Sequence, residues 1–465
     1  MKKRLLTIVS LILCLACLFV FTACEPPVSE KQTDTDTESE SATDTESESE
    51  TESASDTESE SESESESETE SESKKETESE TESETKKDTE TETETETETE
   101  TETEPAGPIP GVTESTEPLV ATTYKLSEKP ELFRFIGRSK QITDGILCDH
   151  SASGIEFQGY FTGDVNLTVE STISDTYYTV YIDGERVETR FCAKEWEETT
   201  LKIATFEGNY FHTIKILKQT EIGWSTSTLL ELDITGKLVD APEDRELYFE
   251  FYGDSLTAGY GNIGTPYSNG PHDEPIYQDA TQTYAFLLSE LAGADCSILA
   301  MSGVGLAEGY YDNPFLDYFS KYSHKRGDEK FDFEGARVPT AAFVHLGAND
   351  ESCADDPNNI RGYGENTGSF KTNFKAKAKE LIKYIREGYN TNVPIVFAYD
   401  PWEGVPNYIE EVIEELGGDA AGLYMIELAW HDISGYTGAG THPSVAAHEA
   451  HCYLLAELLL AKDII

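Results

Sequence analysis

The sequence predicts two folded parts of different class, an antiparallel β-sandwich followed by an α/β domain with a mostly parallel sheet. Between about residues 125 and 240, short alternating stretches recur with turn residues between them, and no helical period is evident. From residue 246 onward, continuous apolar runs alternate with amphipathic segments. Such runs are typical of parallel strands that helices cover on both faces, which predicts a three-layer α/β domain.

The first 23 residues predict an export signal. Three basic residues at positions 2–4 precede an apolar stretch that ends at Phe21, too short and wrongly flanked for a lasting membrane helix. The stretch runs into Phe21-Thr-Ala-Cys24, which resembles a bacterial lipobox, and Cys17 is an alternative acceptor. We therefore expect a lipoprotein acylated at Cys24, held at the extracellular face of the bacterial cell, with no other contact with the membrane.

Residues 24–122 predict a disordered tether. Between residues 25 and 104 the chain is almost wholly Ser, Thr, Glu and Asp, with 34 acidic residues against five lysines. No apolar residue recurs there to be buried and like charges repel one another, so the segment should stay extended. A Pro/Gly/Thr-rich linker follows from residue 105.

The net charge of −57 excludes several classes of partner. Even after residue 104 the chain carries 57 acidic against 26 basic residues, so nucleic acid and anionic membrane surfaces are poor partners. A neutral polysaccharide meets no such barrier. The cysteines after the signal are odd in number and scattered, so they predict neither a disulfide framework nor a zinc site. They are Cys148, Cys192, Cys296, Cys353 and Cys452.

The β-sandwich is predicted at residues 123–240. Asp183-Gly184 between two alternating stretches is a strong hairpin signal. The predicted strands are 154–161, 165–169, 177–182, 186–191, 199–204, 210–217 and 228–235.

The α/β domain is predicted at residues 246–465. Its apolar runs predict strands at 248–252, 296–301, 340–346, 393–399 and 422–428. The amphipathic segments between and after them predict helices at 281–291, 370–386, 408–416 and 445–460.

The first of these strands stops at Gly253-Asp254-Ser255. A serine at that point is displayed at the carboxyl edge of the sheet, where open α/β sheets carry their sites. Its hydroxyl is a poor nucleophile alone and needs a base and oxyanion donors from elsewhere in the chain. Taken by itself, the tripeptide is more simply a turn between strand and helix.

Three other strand ends supply the missing groups. They carry Ser302-Gly303, Asn349-Asp350 and, in the last loop, Thr441-His442-Pro443. We predict Ser255 as nucleophile and His442 as base, with the backbone N–H groups of Ser255 and Gly303 and the Asn349 amide as the oxyanion hole. Each residue alone could be structural, but their joint order favours catalysis.

These four blocks, in this order, resemble the SGNH (GDSL-type) hydrolase superfamily over residues 246–465. Three further stretches are similar to carbohydrate esterase family two: Gly154-Ile-Glu-Phe-Gln-Gly, Tyr181-Ile-Asp-Gly and His442-Pro-Ser-Val-Ala-Ala-His. The resemblance implies a jelly-roll followed by a flavodoxin-like three-layer domain. It also implies a monomeric serine esterase without cofactor that removes O-acetyl groups from plant polysaccharides such as xylan and glucomannan.

One position departs from the superfamily pattern. The residue three before the histidine is usually an aspartate, and here it is Ala439. Some members of the family lack this acid and orient the imidazole with a main-chain carbonyl, which we predict for His442. Asp432, ten residues upstream, is the other candidate for the third member of a triad.

Other polar and aromatic clusters give weaker signals. Tyr399 and Trp402 could form an aromatic platform for sugar or could simply pack. The acids between Asp350 and Asp356 lack the spacing of a calcium loop, which predicts a solvated acidic loop. His448-Glu-Ala-His451 is not the His-Glu-x-x-His pattern, so no metal is predicted.

Two rival functions use the same domains. The chain could be a non-catalytic carbohydrate-binding surface protein, with the β-sandwich as a lectin-like module. Alternatively, the esterase could act on lipid or host glycan esters. The absence of a long apolar run beside Ser255 disfavours a lipase.

Overall fold

The computed structural model describes residues 113–267, 275–355, 367–401, 404–429 and 435–465, and these belong to one compact unit that contains two sheets. The predicted signal with Cys24, most of the predicted tether, Trp402 and Asp432 lie outside the described residues. None of the helices in the described part of the chain combines the length and the apolar character that crossing a membrane requires.

The first sheet has ten strands, and every strand pair in it is antiparallel. Its central path runs β3-β4-β10-β5-β9-β6-β7, while β1 pairs with β10, β2 with β5 and β8 with β6. The strands are β1 Ala121–Lys125, β2 Arg134–Ile136, β3 Lys140–Gln141, β4 Ile146–Leu147, β5 Gly154–Thr172, β6 Thr176–Ile182, β7 Glu185–Arg186, β8 Phe191–Ala193, β9 Glu198–Lys218 and β10 Thr226–Leu238.

The two longest strands correct the sequence prediction. The predicted strands 154–161 and 165–169 form the single strand β5, and 199–204 with 210–217 form the single strand β9. The ladder between them continues past Gly163, which has a φ of +67°, through a register shift between Phe161 and Gly163. A β-bulge absorbs the extra residue there, so a glycine that signalled a turn bends the strand without ending it. The predicted strand 186–191 is the two short strands β7 and β8.

The first sheet also begins earlier than predicted. β1 starts at Ala121 and pairs with β10, and Glu114 forms an isolated bridge with Tyr210. The last residues of the predicted tether therefore belong to the folded part of the chain.

The second sheet confirms the predicted α/β domain with a parallel sheet. Its order is β12-β11-β13-β14-β15, and all four pairings are parallel. The strands are β11 Leu247–Gly253, β12 Ala294–Ala300, β13 Ala341–His345, β14 Ile395–Tyr399 and β15 Leu423–Glu427. The α-helices are α1 Ser255–Ala258, α2 Tyr284–Ala292, α3 Phe315–Phe319, α4 Ala348–Asp355, α5 Thr367–Gly388, α6 Pro406–Glu415 and α7 Val445–Ala461.

Alternation along β11 supplies two different hydrophobic clusters. Phe249 and Phe251 pack in one cluster with residues of α2 and α7, whereas Tyr252 packs in the other with residues of α5 and α6. Successive side chains of a strand point to opposite faces, so the central strand contributes to both clusters.

The ends of helix α2 are set by capping residues. Thr283 accepts the N–H of Phe286 at the start of α2, and Gly293 ends the helix in the left-handed conformation.

Three buried histidines surround one tyrosine below the carboxyl edge of the parallel sheet. The ring of Tyr284 lies 5.8 Å from that of His345, 6.0 Å from His448 and 6.4 Å from His451. Within the described residues no group of His, Cys, Asp and Glu has the arrangement of a metal site, and the five cysteines are free thiols. His448 Nδ1 accepts the N–H of Tyr284 at 3.2 Å, so this pair of groups joins α7 to α2.

Burial keeps these histidines neutral. It lowers the pKa of His345 to about 3 and that of His451 to about 4, and it lowers the pKa of His448 well below its usual range. An unfolded chain binds a proton at each near its ordinary pKa of about 6.5. Because the unfolded state then holds more protons than the folded state, the free energy of unfolding falls as the pH drops below that value.

We therefore predict that His345→Gln, which removes one such group, reduces the pH dependence of unfolding. Between pH 6 and pH 4 the slope of the unfolding free energy should decrease by up to about 1.4 kcal/mol per pH unit. Urea unfolding at a series of pH values measures it. Parallel curves for the variant and the wild type would contradict the assignment, even if the variant were less stable at every pH.

Candidate active site

Ser255 begins α1 immediately after β11. Asp254 is the N-cap of this helix, and its Oδ1 accepts the N–H of Leu256 at 3.0 Å. A side chain at Gly253 would place its Cβ 2.0 Å from Thr257 Oγ1, so the chain can turn this tightly only with glycine there. The sequence Gly-Asp-Ser thus sets a serine at the first position of a helix, at the carboxyl edge of the sheet.

The loop that carries His442 lies directly on the segment after α1. Ala439 donates its N–H to Gly261 O at 2.9 Å, and Val445 donates to Asn262 O at 3.1 Å. Gly261 has a φ of +67°, and a Cβ there would lie 2.4 Å from Ala439 O. This close approach of two backbones is what brings the histidine to the serine.

The two predicted catalytic side chains are in contact. His442 Nε2 lies 2.8 Å from Ser255 Oγ, and His442 Nδ1 lies 2.8 Å from Gly440 O. Since a carbonyl oxygen only accepts, Nδ1 carries the hydrogen and Nε2 is left to accept the serine proton. The predicted main-chain carbonyl beside the imidazole is confirmed, and Gly440 supplies it. Asp432 lies outside the described residues, so its predicted role stays a prediction.

The predicted oxyanion donors converge on the same place. The backbone N–H groups of Ser255 and Gly303 have no acceptor among the described residues, which leaves both available to a ligand. Asn349 Nδ2 lies 3.1 Å from both Asp254 Oδ2 and Val304 O. An amide nitrogen carries two hydrogens, so in this structure Asn349 donates to protein acceptors and must share or redirect one hydrogen to reach an oxyanion.

Asp350 corrects the prediction of a solvated acidic loop. It is fully buried in α4, and its carboxylate accepts three backbone N–H groups, from Leu306, Ala307 and Glu308, at 2.7, 2.7 and 2.9 Å. Burial raises its pKa to about 7, and burial likewise raises the pKa of the nearby Asp254 to about 7. Asp350 thus holds the segment that follows Gly303, a role that local charge spacing could not indicate.

Ser255 and His442 lie at a cavity of about 420 Å³, within the size range of small-ligand sites. The structure does not bring Tyr399 to this lining, and its hydroxyl instead lies 3.5 Å from Glu427 Oε2. Tyr260 and the exposed Tyr310 contribute aromatic surface that the sequence interpretation missed. Tyr260 lies between Gly259 and Gly261, five residues after the serine, and this position was the available signal. The lining residues are Ser255, Leu256, Tyr260, Ser302, Gly303, Tyr310, Ala348, Asn349, Ser352, Thr441 and His442.

A serine and a histidine are in contact at the carboxyl edge of a parallel sheet, with the oxyanion candidates on the two neighbouring strand ends, which is the arrangement that the resemblance to the SGNH hydrolases predicts. Comparisons with known proteins agree with this class. Residues 135–242 match the family model described as carbohydrate esterase 2 N-terminal. The predicted resemblance to carbohydrate esterase family two is therefore confirmed.

Two curated proteins share sequence with the chain. Cellulase/esterase CelE of Acetivibrio thermocellus is 28% identical over 333 residues, which cover 69% of this chain and 37% of that protein. Acetylxylan esterase / glucomannan deacetylase of Cellvibrio japonicus is 26% identical over 264 residues, covering 54% of this chain and 68% of the relative. The chain thus spans little more than a third of the length of CelE.

Solved structures show the same fold across both sheets. A family two carbohydrate esterase from Clostridium thermocellum, in complex with cellohexaose, matches with a TM-score of 0.62 at 24% identity and covers 72% of this chain and all of its own. The acetyl xylan esterase Est2A from Butyrivibrio proteoclasticus matches with a TM-score of 0.64 at 17% identity, covering 73% of this chain and 99% of its own. At these identities the likeness establishes the fold alone.

The position of Gly440 O leads to a prediction about Asp432. A carbonyl fixes the tautomer of His442 as a carboxylate would, but it supplies only a dipole to the imidazolium. Asp432→Asn should therefore lower kcat/KM for 4-nitrophenyl acetate by less than about tenfold, whereas the same change in a true triad costs roughly ten-thousandfold. His442→Ala serves as the severe reference. A comparably severe loss for Asp432→Asn, with the circular dichroism spectrum unchanged, would make Asp432 the third member.

Proposed function

We propose that the protein is a serine esterase that removes O-acetyl groups from plant cell-wall polysaccharides such as xylan and glucomannan. The observation that carries the proposal is the 2.8 Å contact between His442 Nε2 and Ser255 Oγ at the lined cavity. The names of the curated relatives, an acetylxylan esterase / glucomannan deacetylase and a cellulase/esterase, support the substrate class.

The reaction follows from the geometry in two halves. His442 Nε2 accepts the proton of Ser255 Oγ as the oxygen attacks the acetyl carbonyl, and the negative charge develops on the carbonyl oxygen. The N–H groups of Ser255 and Gly303, with Asn349, stabilise that charge. The imidazolium then donates its proton to the departing sugar hydroxyl, which leaves an acetyl-serine. Water, deprotonated by the same histidine, releases acetate and restores the serine.

The shape and charge of the cavity suit an acetyl group on a neutral sugar. The cavity is small, and Leu256 and Ala348 give it short apolar walls beside the serine. Tyr260 and Tyr310 offer ring faces on which a pyranose can lie. The strongly negative chain repels polyanions but not xylan or glucomannan.

We further propose the finer architecture and the cellular setting. The domains would be a jelly-roll sandwich, predicted at 123–240 and extended at its start to β1 at Ala121, and a flavodoxin-like three-layer domain at 246–465. The antiparallel ten-stranded sheet and the helices of two clusters around the parallel sheet support them. The protein would act as a monomer at the extracellular face of the cell, exported by residues 1–23 and anchored through acylated Cys24, with residues 24–112 as a spacer. Globomycin-sensitive processing and palmitate labelling that disappear in Cys24→Ala test the anchor.

Ser255→Ala tests the activity itself. The variant should fold and should release acetate from acetylated xylan and glucomannan at less than about one hundredth of the wild-type rate, because a missing nucleophile costs far more than a weakened contact. Ser352→Ala is the matched control, since it makes the same change in the same cavity on a side chain bonded to Ala348 O. Its rate should stay within about threefold of the wild type.

Assays with four substrates separate the proposed function from its two rivals. Acetate release from xylan and glucomannan, with little from acetylated sialoglycan or 4-nitrophenyl palmitate, is the expected result. Faster hydrolysis of acetylated sialoglycan or of 4-nitrophenyl palmitate would show that the esterase acts on host glycan esters or on lipid esters instead. Binding of polysaccharide without release of acetate by the wild type would contradict the esterase proposal and favour a carbohydrate-binding protein.

A further inference from the structure

A loop of the first sheet reaches behind the oxyanion site. Residues 219–225, between β9 and β10, lie against the parallel sheet, and Ile222 is fully buried in the hydrophobic cluster that contains Met301 and Val304. A Cβ on Gly223 would lie 3.1 Å from Met301 Cγ, which shows how closely this loop packs. The loop therefore forms the wall on which the turn at 301–304 rests.

Glu221 makes the polar contact between this loop and that turn. Its Oε2 accepts the N–H of Ser302 at 2.6 Å, and the side chain is fully buried. Its own N–H donates to Gln278 Oε1 at 3.0 Å, and Gln278 Nε2 lies 3.3 Å from Ala258 O at the end of α1. The same residue is thereby linked to both the loop of Gly303 and the helix of Ser255.

The hydrogen bond between Glu221 and the Ser302 N–H affects the orientation of the neighbouring Gly303 N–H. Ser302 immediately precedes Gly303, which adopts a φ of +78°, and the Gly303 carbonyl accepts the N–H of Tyr310 at 2.8 Å. Because Glu221 holds the Ser302 N–H and Tyr310 holds the Gly303 carbonyl, the peptide units on both sides of the Gly303 N–H are fixed. The Gly303 N–H itself has no acceptor among the described residues.

Burying the carboxylate of Glu221 costs free energy, which argues against a merely structural role for this residue. No ion pair at the Glu221 carboxylate is present in the described part of the chain, although the buried ammonium of Lys218 lies 3.3 Å from the Glu221 main-chain oxygen and favours the charged carboxylate electrostatically. A buried acid held mainly by N–H donors costs stability that a hydrocarbon side chain would not. Local choices that oppose stability are typical of functional sites.

We propose that Glu221 is a positioning residue for the oxyanion hole: by accepting the Ser302 N–H, it fixes the turn that directs the Gly303 N–H at the acetyl carbonyl oxygen. The β-rich domain would then be part of the catalytic machinery of the neighbouring domain, and not only a possible glycan-binding module. This inference rests on the proposed esterase function.

The test compares two replacements of Glu221 that have nearly its size. Glu221→Gln keeps an oxygen acceptor for the Ser302 N–H, whereas Glu221→Met removes it. Lys215→Met is the matched control, because it breaks another contact between the first sheet and the α/β domain. This contact is the 3.1 Å pair of Lys215 with Glu290 near the end of α2, at the amino edge of the parallel sheet and so at the edge opposite the serine. The measurements are kcat and KM for 4-nitrophenyl acetate and acetylated xylan, and the Ki of a methyl trifluoromethyl ketone, which forms a tetrahedral adduct with the serine.

For Glu221→Met we expect kcat to fall by about tenfold to a hundredfold with KM within about threefold, since loss of a whole oxyanion donor costs about a hundredfold or more. The Ki of the ketone should rise by the same factor as kcat falls, because the adduct carries the oxyanion. Glu221→Gln should recover kcat to within about threefold of the wild type. Lys215→Met should lower the Tm and leave kcat and Ki unchanged.

Three results would overturn the proposal: a wild-type kcat for Glu221→Met, equal losses for Gln and Met, or a fall in kcat with an unchanged Ki. If Glu221→Met does not fold, Glu221→Ala takes its place against Glu221→Gln. If both apolar variants unfold while Glu221→Gln folds with full activity, the residue is structural and the proposal fails. A wild type that releases no acetate would instead remove the proposed function, whereas activity abolished by Ser255→Ala but unaffected by Glu221→Met removes only the role of Glu221.

Discussion

The hydrogen bond between Ser255 Oγ and His442 Nε2 joins residues 187 positions apart, and the rest of the site depends on it. It exists because the backbone at Ala439 lies against Gly261, where a Cβ would come within 2.4 Å of a carbonyl oxygen. The left-handed glycines on both sides of this contact make the approach possible. A small displacement of this loop would separate the base His442 from the nucleophile Ser255. The reaction rate depends strongly on that distance.

Around this pair, the turns are held by buried carboxylates that accept backbone N–H groups. Asp254 holds the start of α1, Asp350 holds residues 306–308, and Glu221 holds Ser302. All three are fully buried. Burying a carboxylate is costly, but each N–H that it satisfies stiffens a loop that would otherwise move. Three buried acids thus hold the loops around the site in place.

Ion pairs join the first sheet to the α/β domain. Arg134 pairs with Asp295 at 2.6 Å, Arg186 with Asp279 at 2.6 Å and Lys215 with Glu290 at 3.1 Å. Asp279 and Arg134 are buried, so a change in the relative position of the two parts would leave a buried charge without its partner, which is costly. A loop of one domain can therefore carry a residue that the site of the other domain requires.

The sequence by itself determined the class of the second sheet, the order of its elements and the candidates Ser255 and His442. Hydrophobic periodicity and strand-end motifs are properties of short stretches of sequence, so they can be recognised without knowing how the chain packs. Only the tertiary structure decided that Gly163 bends a strand without ending it, that Asp350 is buried, and that Gly440 O faces the imidazole. The reason is physical. Each of these features depends on residues that are distant in the chain. A single sequence does not show which distant residues lie close together in space.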